Sequence, residues 1–316
     1  MQNKKVFVTG GQGLVGGHVI QKLIKNNNEV IVGIRSHDPK SYFCEQNLHQ
    51  KATLVHYDLK DYKRVFDIIS KYEINTIIHL GAQPIVHTAF KNPYETLESN
   101  IMGTINVLEA ARQYGEIEAI VVASSDKGYG IADKLPYTED MKLNGQHPYD
   151  CSKSCTDLVS IMYAKTYNLP VTVSRFGNIF GPGDLNFNRI IPGIMKSLIL
   201  DEVLPLRSDG TMLREYLYVK DVADGYLLLA DNIDKTQGEA FNFGTAKTYS
   251  VIEIIELCEK VLDKKANYKI LNTAKGEIPE QYLDSNKLKN ILNWQCDYDI
   301  EKAIKETYEW YQNYLG

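Results

Sequence analysis

The sequence of 316 residues predicts an α/β protein with a doubly wound parallel sheet and a smaller C-terminal lobe. Short, continuously apolar segments alternate with amphipathic segments through the N-terminal half, as expected of parallel strands that helices cover on both faces. A glycine-rich turn joins the first apolar segment to the first amphipathic one, which is typical of such sheets. The alternation is lost after about residue 178, and this loss predicts the separate lobe.

The elements follow from the period of the apolar residues. The predicted strands are KKVFVT, EVIVGI, ATLVHYDL, NTIIHL, AIVVAS and PVTVSRF. The predicted helices of the same half are GLVGGHVIQKLIKNN, Tyr62–Tyr72, Pro93–Tyr114 and a long helix after Pro148. The C-terminal part begins with the loop GNIFGPGDLNFN, and its helix-like segments are Ile190–Leu200, Asp221–Ala230, Ser250–Leu262 and Ile300–Tyr314.

Composition and charge narrow the class of protein. Hydrophobic residues make up 44% and charged residues 24% of the chain, which is ordinary for a globular protein. The net charge is −5 and there is no dense basic tract, so we expect no nucleic-acid partner. No apolar run reaches the roughly 18 residues of a membrane span, and the N-terminal MQNKKVFVTGG does not resemble a signal peptide. We therefore expect a cytoplasmic protein without a membrane partner.

The cysteines agree with that compartment. The sequence has 5 of them, an odd number without the spacing of a disulfide framework, and we interpret them as reduced thiols. Cys151 and Cys155 are one helical turn apart, but no histidine or second cysteine pair accompanies them. We expect no metal site.

The glycine-rich turn TGGQGLVGG predicts a dinucleotide site of the Rossmann type. Gly10 permits the tight turn, Gly13 lets a pyrophosphate approach the backbone, and Gly16 lets the helix pack closely on the strand. The following helix directs its N-terminus at the phosphates. We expect residues 1–177 to form this NAD(P)-binding domain, with part of 205–245 returning to it, and residues 178–316 to form mainly the substrate lobe.

The end of the second strand bears on the choice between NAD and NADP. Arg35 and Ser36 follow the strand where an acidic residue usually binds the ribose of NAD, and Asp38 lies slightly late. This arrangement favours NADP without excluding NAD, and the alternative is that Arg35 is only a surface charge. Asp58, at the end of the third strand, is expected to accept a hydrogen bond from the adenine amine.

A tyrosine and a lysine supply a candidate for proton chemistry. Tyr149 and Lys153 are spaced i, i+4 at the start of a helix, so their side chains share one face. A tyrosine has a pKa near 10 in isolation, and a neighbouring ammonium together with an oxidised nicotinamide favours the phenolate. Tyr149 can then remove a proton from a hydroxyl while hydride leaves the same carbon. Ser125, with Ser124 as the alternative, ends the strand AIVVAS and is expected to bond the same substrate oxygen.

The motifs together resemble the extended short-chain dehydrogenase/reductases that act on nucleotide sugars. The resemblance rests on TGGQGLVG, NIMGT, SSDKGYG, YDCSK and GTMLREYLYVKD, in this order over almost the whole chain. It implies a Rossmann domain, a nucleotide-sugar lobe, a tightly bound and recycled cofactor, and a homodimer formed through the helices near Pro93–Tyr114 and Tyr149–Tyr167.

Five stretches look closest to the CDP-glucose 4,6-dehydratases: HLGAQPIV, SNIMGTINVLEA, SSDKGYG, GNIFGPGD and EQYLDSNKLKNILNW. Arg35-Ser36 is instead closer to the GDP-mannose 4,6-dehydratases. The base and the hexose stay open between CDP-glucose and a GDP-linked hexose such as GDP-mannose or GDP-N-acetylglucosamine. The expected cofactor contacts are Gly10, Gly13, Leu14, Val15, Gly16, Arg35, Ser36, Asp58, Leu59, Leu80, Ala82, Asn100, Tyr149 and Lys153.

The resemblance also implies residues on the substrate side. Asn178 in GNIFGPG matches a residue that contacts the substrate phosphates, and Arg214 in GTMLREYLYV matches one that pairs with the pyrophosphate, which suits a planar bidentate donor. Arg189 is expected near the sugar or phosphate, and Gln83 near the nicotinamide or sugar. His87 is interpreted as a packed or exposed helix residue, with the alternative that it faces the nicotinamide or sugar.

Asp126 and Lys127, directly after Ser125, decide between two reactions. A 4,6-dehydratase needs an acid and a base near C-5 and C-6 of the sugar, and we assign Asp126 as the acid and Lys127 as the base. The alternative for Lys127 is that it orients Asp126 or contacts the cofactor. A nucleotide-sugar 4-epimerase, the alternative function, needs no acid beside the serine. A non-catalytic regulator is disfavoured because Tyr149 and Lys153 are both present.

Overall fold

The computed structural model describes residues 1–273 and 278–316 and confirms the α/β fold. Its strands are β1 (Lys5–Thr9), β2 (Glu29–Ile34), β3 (Thr53–His56), β4 (Thr76–His79), β5 (Ala119–Ala123), β6 (Val171–Phe176), β7 (Asn178–Phe180), β8 (Leu204–Leu206), β9 (Leu213–Arg214), β10 (Tyr216–Tyr218), β11 (Ala240–Phe243), β12 (Tyr249–Ser250), β13 (Tyr268–Ile270) and β14 (Glu280–Gln281). All the predicted strands are present.

The helices agree with the predicted ones and add several short ones. They are α1 (Leu14–Lys25), α2 (Tyr42–Glu45), α3 (Tyr62–Lys71), α4 (Val86–Lys91), α5 (Pro93–Leu97), α6 (Gly103–Tyr114), α7 (Pro148–Tyr167), α8 (Ile190–Leu200), α9 (Val219–Asp231), α10 (Ile233–Thr236), α11 (Val251–Leu262), α12 (Asn286–Leu292) and α13 (Ile300–Leu315). None of the helices in the described ranges is long and apolar enough to cross a membrane.

The main sheet has seven parallel strands in the order β3-β2-β1-β4-β5-β6-β11. The strand order reverses between β1 and β4, which is the place where open sheets of this kind bind ligands at their carboxyl ends. The sequence pattern did not predict β11, because it is short and the buried Asn242 interrupts its apolar run.

Two apolar layers sandwich the sheet. One lies between the sheet and helices α1 and α9, and the other lies between the sheet and helices α3, α6 and α7. A third cluster joins α8, α11 and α13 with β8 and β10 in the C-terminal part. The sheet is therefore covered on both faces, which explains its continuously apolar strands.

The helix predicted over Pro93–Tyr114 contains a π-helical segment at Glu98–Met102, between α5 and α6. Single π turns insert one residue and leave a carbonyl without its regular helical partner. Here the carbonyl of Asn100 accepts from the hydroxyls of Thr104, at 2.6 Å, and Thr156, at 3.0 Å. The π turn thereby fixes Asn100 against α7, the helix that carries Tyr149 and Lys153.

Candidate active site

The glycine turn after β1 has the shape that a pyrophosphate requires. Gly10 has φ +69°, and a Cβ on Gly16 would lie 2.4 Å from the carbonyl oxygen of Gly10. Only glycine therefore permits the close passage of the turn over the first residues of α1. The N-terminus of α1 has no side-chain cap and no acidic residue in its first turn, so the amides near Leu14 and Val15 are available to an anion. These observations fit a dinucleotide.

A buried network holds the neighbouring loop after β4. The Oγ1 of Thr9 accepts from the amides of Leu80, at 3.0 Å, and Gly81, at 2.9 Å. It also lies 2.8 Å from Nδ1 of the buried His79. Burial lowers the pKa of His79 to about 3, so the ring is neutral. The loop that contains Leu80 and Ala82 is thereby fixed beside Gly10, and Leu59 packs near it, since a Cβ on Gly81 would lie 2.9 Å from Cδ1 of Leu59.

The residues expected near the adenosine lie at the carboxyl ends of β2 and β3. Arg35 is exposed, and its guanidinium lies 3.7 Å from a carboxylate oxygen of Glu95. Ser36 is exposed beside it. Asp58 is half-buried, and its carboxylate accepts from the amide of Lys60 at 2.9 Å. The structure places all three at the edge of the sheet where the cofactor is expected.

The structure brings Ser125, Tyr149 and Lys153 together. Tyr149 lies beside Ser125, whose side chain lowers the pKa of the phenol against the larger effect of burial. The ammonium of Lys153 donates to the carbonyl oxygen of Ala123 at 2.8 Å. Ser124, the alternative, instead donates to the carbonyl of Lys153 at 3.3 Å and therefore supports α7. These contacts favour Ser125 as the serine that faces the reacting oxygen.

Burial dominates the protonation of this group. It raises the pKa of Tyr149 to about 12, while the positive charge of Arg189 opposes the rise. It lowers the pKa of Lys153 to about 8. The phenol therefore carries its proton in the protein alone, and an added positive charge at the site would favour the phenolate. The charge of Arg189, the residue predicted near the sugar or phosphate, therefore lowers the pKa of Tyr149.

Asp126 is buried beside Ser125 and makes two contacts through the same oxygen. Its Oδ1 accepts from Oγ of Ser125 at 2.9 Å and from Nζ of Lys127 at 3.3 Å. The side chain of Asp126 is 3% exposed and that of Lys127 is 25% exposed, so the lysine connects the buried carboxyl to the surface. Ser125, Asp126 and Lys127 form one hydrogen-bonded unit at the start of a short 3₁₀ turn.

Glu215 is a residue that the sequence analysis missed. Its buried carboxylate accepts from the amides of Leu283, at 2.8 Å, and Thr245, at 2.7 Å. A Cβ on Gly177 would lie 3.8 Å from Oδ2 of Asp126 and 4.0 Å from Oε2 of Glu215, so the two carboxyls flank this glycine. Burial raises the pKa of Glu215 to about 7, and the Asp126 charge adds to the rise. Its only signal in the sequence is its position directly after Arg214.

Two of the residues predicted to contact the substrate lie on short strands outside the main sheet. Asn178 begins β7, which pairs in parallel with β10, and it lies opposite Tyr216. The guanidinium of Arg214 donates to the carbonyls of Leu213, at 2.7 Å, Ile278, at 2.6 Å, and Pro279, at 3.0 Å. These hydrogen bonds hold the side chain of Arg214, which belongs to β9, against the segment that precedes β14.

Three other predicted residues have partners or exposure that bear on their roles. Arg189 donates to the buried carboxylate of Asp184 at 3.1 Å. The side-chain amide of Gln83 donates to Ile85 and Thr96, so it braces its own loop. His87 is exposed on α4, as expected.

Asn100 links the loop after β4 to helix α7. Its Oδ1 accepts from the amide of Gln83 at 2.7 Å, and its Nδ2 donates to Oγ of Ser152 at 2.9 Å. Ser152 in turn donates to the carbonyl of Tyr149 at 2.6 Å. The buried amide therefore sets the distance between the loop after β4 and the first turn of α7.

The chain is similar in sequence to known proteins over nearly its whole length. A family model described as GDP-mannose 4,6 dehydratase matches residues 7–307. A putative UDP-glucose 4-epimerase of Methanocaldococcus jannaschii is 30% identical over 98% of this chain and 98% of its own length.

Two solved structures are similar over nearly the whole chain. The UDP-glucose 4-epimerase of Thermotoga maritima, solved with UDP-glucose, is 28% identical with a TM-score of 0.89, covering 99% of this chain and 100% of its own. The dTDP-glucose 4,6-dehydratase DesIV of Streptomyces venezuelae, solved with NAD and TYD bound, is 25% identical with a TM-score of 0.89, covering 98% and 97%. Dehydratases and epimerases therefore share this fold.

Proposed function

The chain belongs to the GDP-mannose 4,6 dehydratase family, and from that premise we propose that it is a nucleotide-diphosphate-hexose 4,6-dehydratase. Its product would be the corresponding 4-keto-6-deoxy sugar, and CDP-glucose or a GDP-linked hexose would be its substrate. The observation that carries the proposal is Asp126, a buried carboxyl within 2.9 Å of the hydroxyl of Ser125. Eliminating a hydroxyl from C-6 needs an acid at this place, whereas a 4-epimerase needs none.

The cofactor is NAD or NADP. DesIV, which is 25% identical, binds NAD in its solved structure, and the uncapped N-terminus of α1 with its close glycines suits a pyrophosphate here. When bound, the nicotinamide would supply the reversible hydride transfer that this reaction requires. We propose that Arg35 and Ser36 meet the adenosine ribose, with Asp58 at the adenine, and that Lys153 bonds the nicotinamide ribose.

The side chains of this chain supply the proton transfers. Tyr149 takes the proton of the C-4 hydroxyl, and Ser125 bonds the same oxygen. The resulting ketone acidifies the hydrogen at C-5. Lys127 then removes the C-5 proton and Asp126 protonates the departing hydroxyl at C-6, so that water leaves. Finally Lys127 returns its proton to C-5.

Binding of the nucleotide diphosphate is assigned to the second part of the chain. We propose that residues 1–177, with part of 205–245, hold the cofactor and that residues 178–316 mainly hold the sugar nucleotide. Arg214 would exchange its carbonyl partners for the pyrophosphate, and Asn178, on β7, lies opposite Tyr216 of β10, two residues after Arg214 in the sequence. Arg189 would lie near the sugar and Gln83 at the rim.

A homodimer is part of the proposal. Apolar side chains remain exposed along the helices from α4 to α7, which pack side by side. They are Val86, Phe90, Tyr94, Met102, Leu158, Met162 and Tyr167. Exposed apolar side chains on neighbouring helices are typical of an interface. Sedimentation should give a dimer, and Leu158→Glu should give a monomer.

A nucleotide-sugar 4-epimerase is the second candidate, because two of the similar proteins named above are described as epimerases. Incubation with CDP-glucose, GDP-mannose, GDP-N-acetylglucosamine, UDP-N-acetylglucosamine and dTDP-glucose separates the two functions. A dehydratase makes one of these sugars lighter by one water, as mass spectrometry detects. An epimerase leaves every mass unchanged and alters the configuration at C-4. The same panel identifies the base and the hexose.

A further inference from the structure

At the end of each turnover, a 4,6-dehydration leaves one active-site group with an extra proton and another group with one proton too few. The C-4 hydroxyl proton goes to Tyr149, and the C-4 hydrogen leaves as hydride with its electron pair. During elimination, one member of the Asp126–Lys127 pair takes the C-5 proton and the other protonates the hydroxyl that leaves C-6 as water. The C-5 proton returns to C-5 when the hydride adds at C-6.

The sum of these steps is a net transfer. Tyr149 ends the cycle with one proton more, and the Asp126–Lys127 pair ends it with one proton fewer. This result does not depend on which member of the pair is the acid. The next turnover needs a Tyr149 phenolate and a pair that again carries its proton. An epimerase makes no such net proton transfer, because its tyrosine returns the proton to the oxygen that lost it.

The side chains of these groups follow one another through the site. Ser125 has one hydroxyl hydrogen, and the geometry directs it to Oδ1 of Asp126 at 2.9 Å. Tyr149 lies beside the same serine, whose side chain lowers the pKa of the phenol against the larger effect of burial. Because the serine gives its own hydrogen to Asp126, its oxygen can accept the proton of Tyr149. Nζ of Lys127 lies 3.3 Å from the same Oδ1. Ser125 therefore stands between the group that ends with a surplus proton and the pair that ends with a deficit.

We infer that Ser125 is a proton relay that resets the enzyme by passing the proton of Tyr149 to Asp126. The O–H bond of Tyr149 breaks as its proton bonds to Ser125 Oγ, and the serine's own proton moves to Oδ1 of Asp126. Ser125 is neutral before and after, and no other reactant is needed. The hydrogen bonds then point the opposite way, with Asp126 donating to Ser125 and Ser125 donating to the phenolate.

The surroundings favour this internal route. Ser125 is 7% exposed and Asp126 is 2% exposed, so direct exchange of their protons with water is restricted. Lys153, the other cation beside Tyr149 on α7, already donates to the carbonyl of Ala123. Lys127 has a side chain that is 25% exposed, so it is the residue through which the Asp126–Lys127 pair can otherwise exchange protons with solvent.

The inference rests on the proposed function, and its test compares two rates in one protein. Single-turnover formation of the 4-keto-6-deoxy sugar is measured with enzyme in excess, and steady-state turnover is measured with CDP-glucose, or with the first sugar of the panel that the wild type dehydrates, in excess. Ser125→Ala also removes a contact to the substrate oxygen, so both rates fall. If the serine resets the enzyme, the steady-state rate falls further than the single-turnover rate, by roughly a further 10²-fold.

Two controls make the outcome specific. Imidazole, a small proton donor and acceptor, should raise the steady-state rate of Ser125→Ala and leave its single-turnover rate unchanged. Ser125→Thr keeps the hydroxyl and should keep the wild-type ratio of the two rates, without a response to imidazole. Equal loss of both rates in Ser125→Ala, with no imidazole effect, would refute the relay alone. A wild type that removes water from no sugar of the panel would refute the dehydratase proposal itself.

Discussion

Ser125 donates its single hydroxyl hydrogen to Oδ1 of Asp126 at 2.9 Å, and Tyr149 lies beside the same serine. This relationship places the residue proposed for oxidation at C-4 and the residue proposed for elimination at C-6 on either side of one hydroxyl. The short sequence Ser-Asp-Lys is therefore the part of the chain that distinguishes the two candidate reactions on this fold.

Asp126→Asn should separate the two half-reactions. The amide keeps the shape of the side chain but cannot supply the proton for the leaving hydroxyl, so elimination should slow by roughly 10²–10⁴-fold. Oxidation at C-4 depends on Tyr149 and should persist, so that reduced nicotinamide accumulates and is visible by its ultraviolet absorbance. Tyr149→Phe is the matched control and should lose both steps. Equal loss of both steps in Asp126→Asn would contradict the assignment of the acid.

Arg35→Ala tests the choice of cofactor. The exposed guanidinium lies where the 2′-phosphate of NADP would be expected, and its present partner, Glu95, is 3.7 Å away. If Arg35 meets that phosphate, the variant should bind NADP roughly 10–100-fold more weakly and NAD nearly unchanged, because hydrogen bonds to charged groups are among the stronger ones. Calorimetry with both dinucleotides measures the ratio. An equal change for both would make Arg35 a surface charge only.

Gly16→Ala should damage the dinucleotide turn itself. The new Cβ would lie 2.4 Å from the carbonyl oxygen of Gly10 and 2.7 Å from Cα of Gly11, both backbone atoms that cannot move away cheaply. We expect a loss of about 1–3 kcal/mol in the free energy of unfolding, together with loss of the thermal stabilisation that NAD gives. Gly13→Ala, whose Cβ would meet only Gly10 at 3.3 Å, is the graded comparison and should be milder. Equal effects of the two substitutions would contradict this account of the turn.

The fold could be predicted far better than the site. Val6, Val8 and Ile78 belong to short apolar runs that predict buried strands. The closely spaced glycines predict the turn after the first strand. Both signals can be read because they are local in the sequence. The partner of Asp126 across Gly177 is not a local signal. Glu215 is distant in the chain and is brought there by the pairing of β7 with β10. Likewise the hydrogen bonds of Arg214 to Ile278 and Pro279 depend on the segment that precedes β14, and no spacing in the sequence predicts that this segment lies beside β9.

Glu215 should give the protein a measurable pH dependence of stability. Burial raises its pKa from 4.5 to about 7. Between these values the folded protein binds more protons than the unfolded chain, so the free energy of unfolding falls as the pH rises, by up to about 3 kcal/mol. Glu215→Gln should flatten this slope in urea denaturation from pH 4.5 to 7, and Glu256→Gln, an exposed carboxyl, should leave it unchanged. A Glu215→Gln protein with the wild-type slope would contradict the assignment.

The most direct test of the central claim follows one hydrogen. A substrate from the panel is prepared with deuterium at C-4, converted by the wild-type protein, and examined by NMR and mass spectrometry. The dehydratase account predicts that the sugar loses one water and carries the deuterium at C-6 of a 4-keto product. Deuterium that remains at C-4, in a sugar of unchanged formula and inverted C-4 configuration, would contradict it.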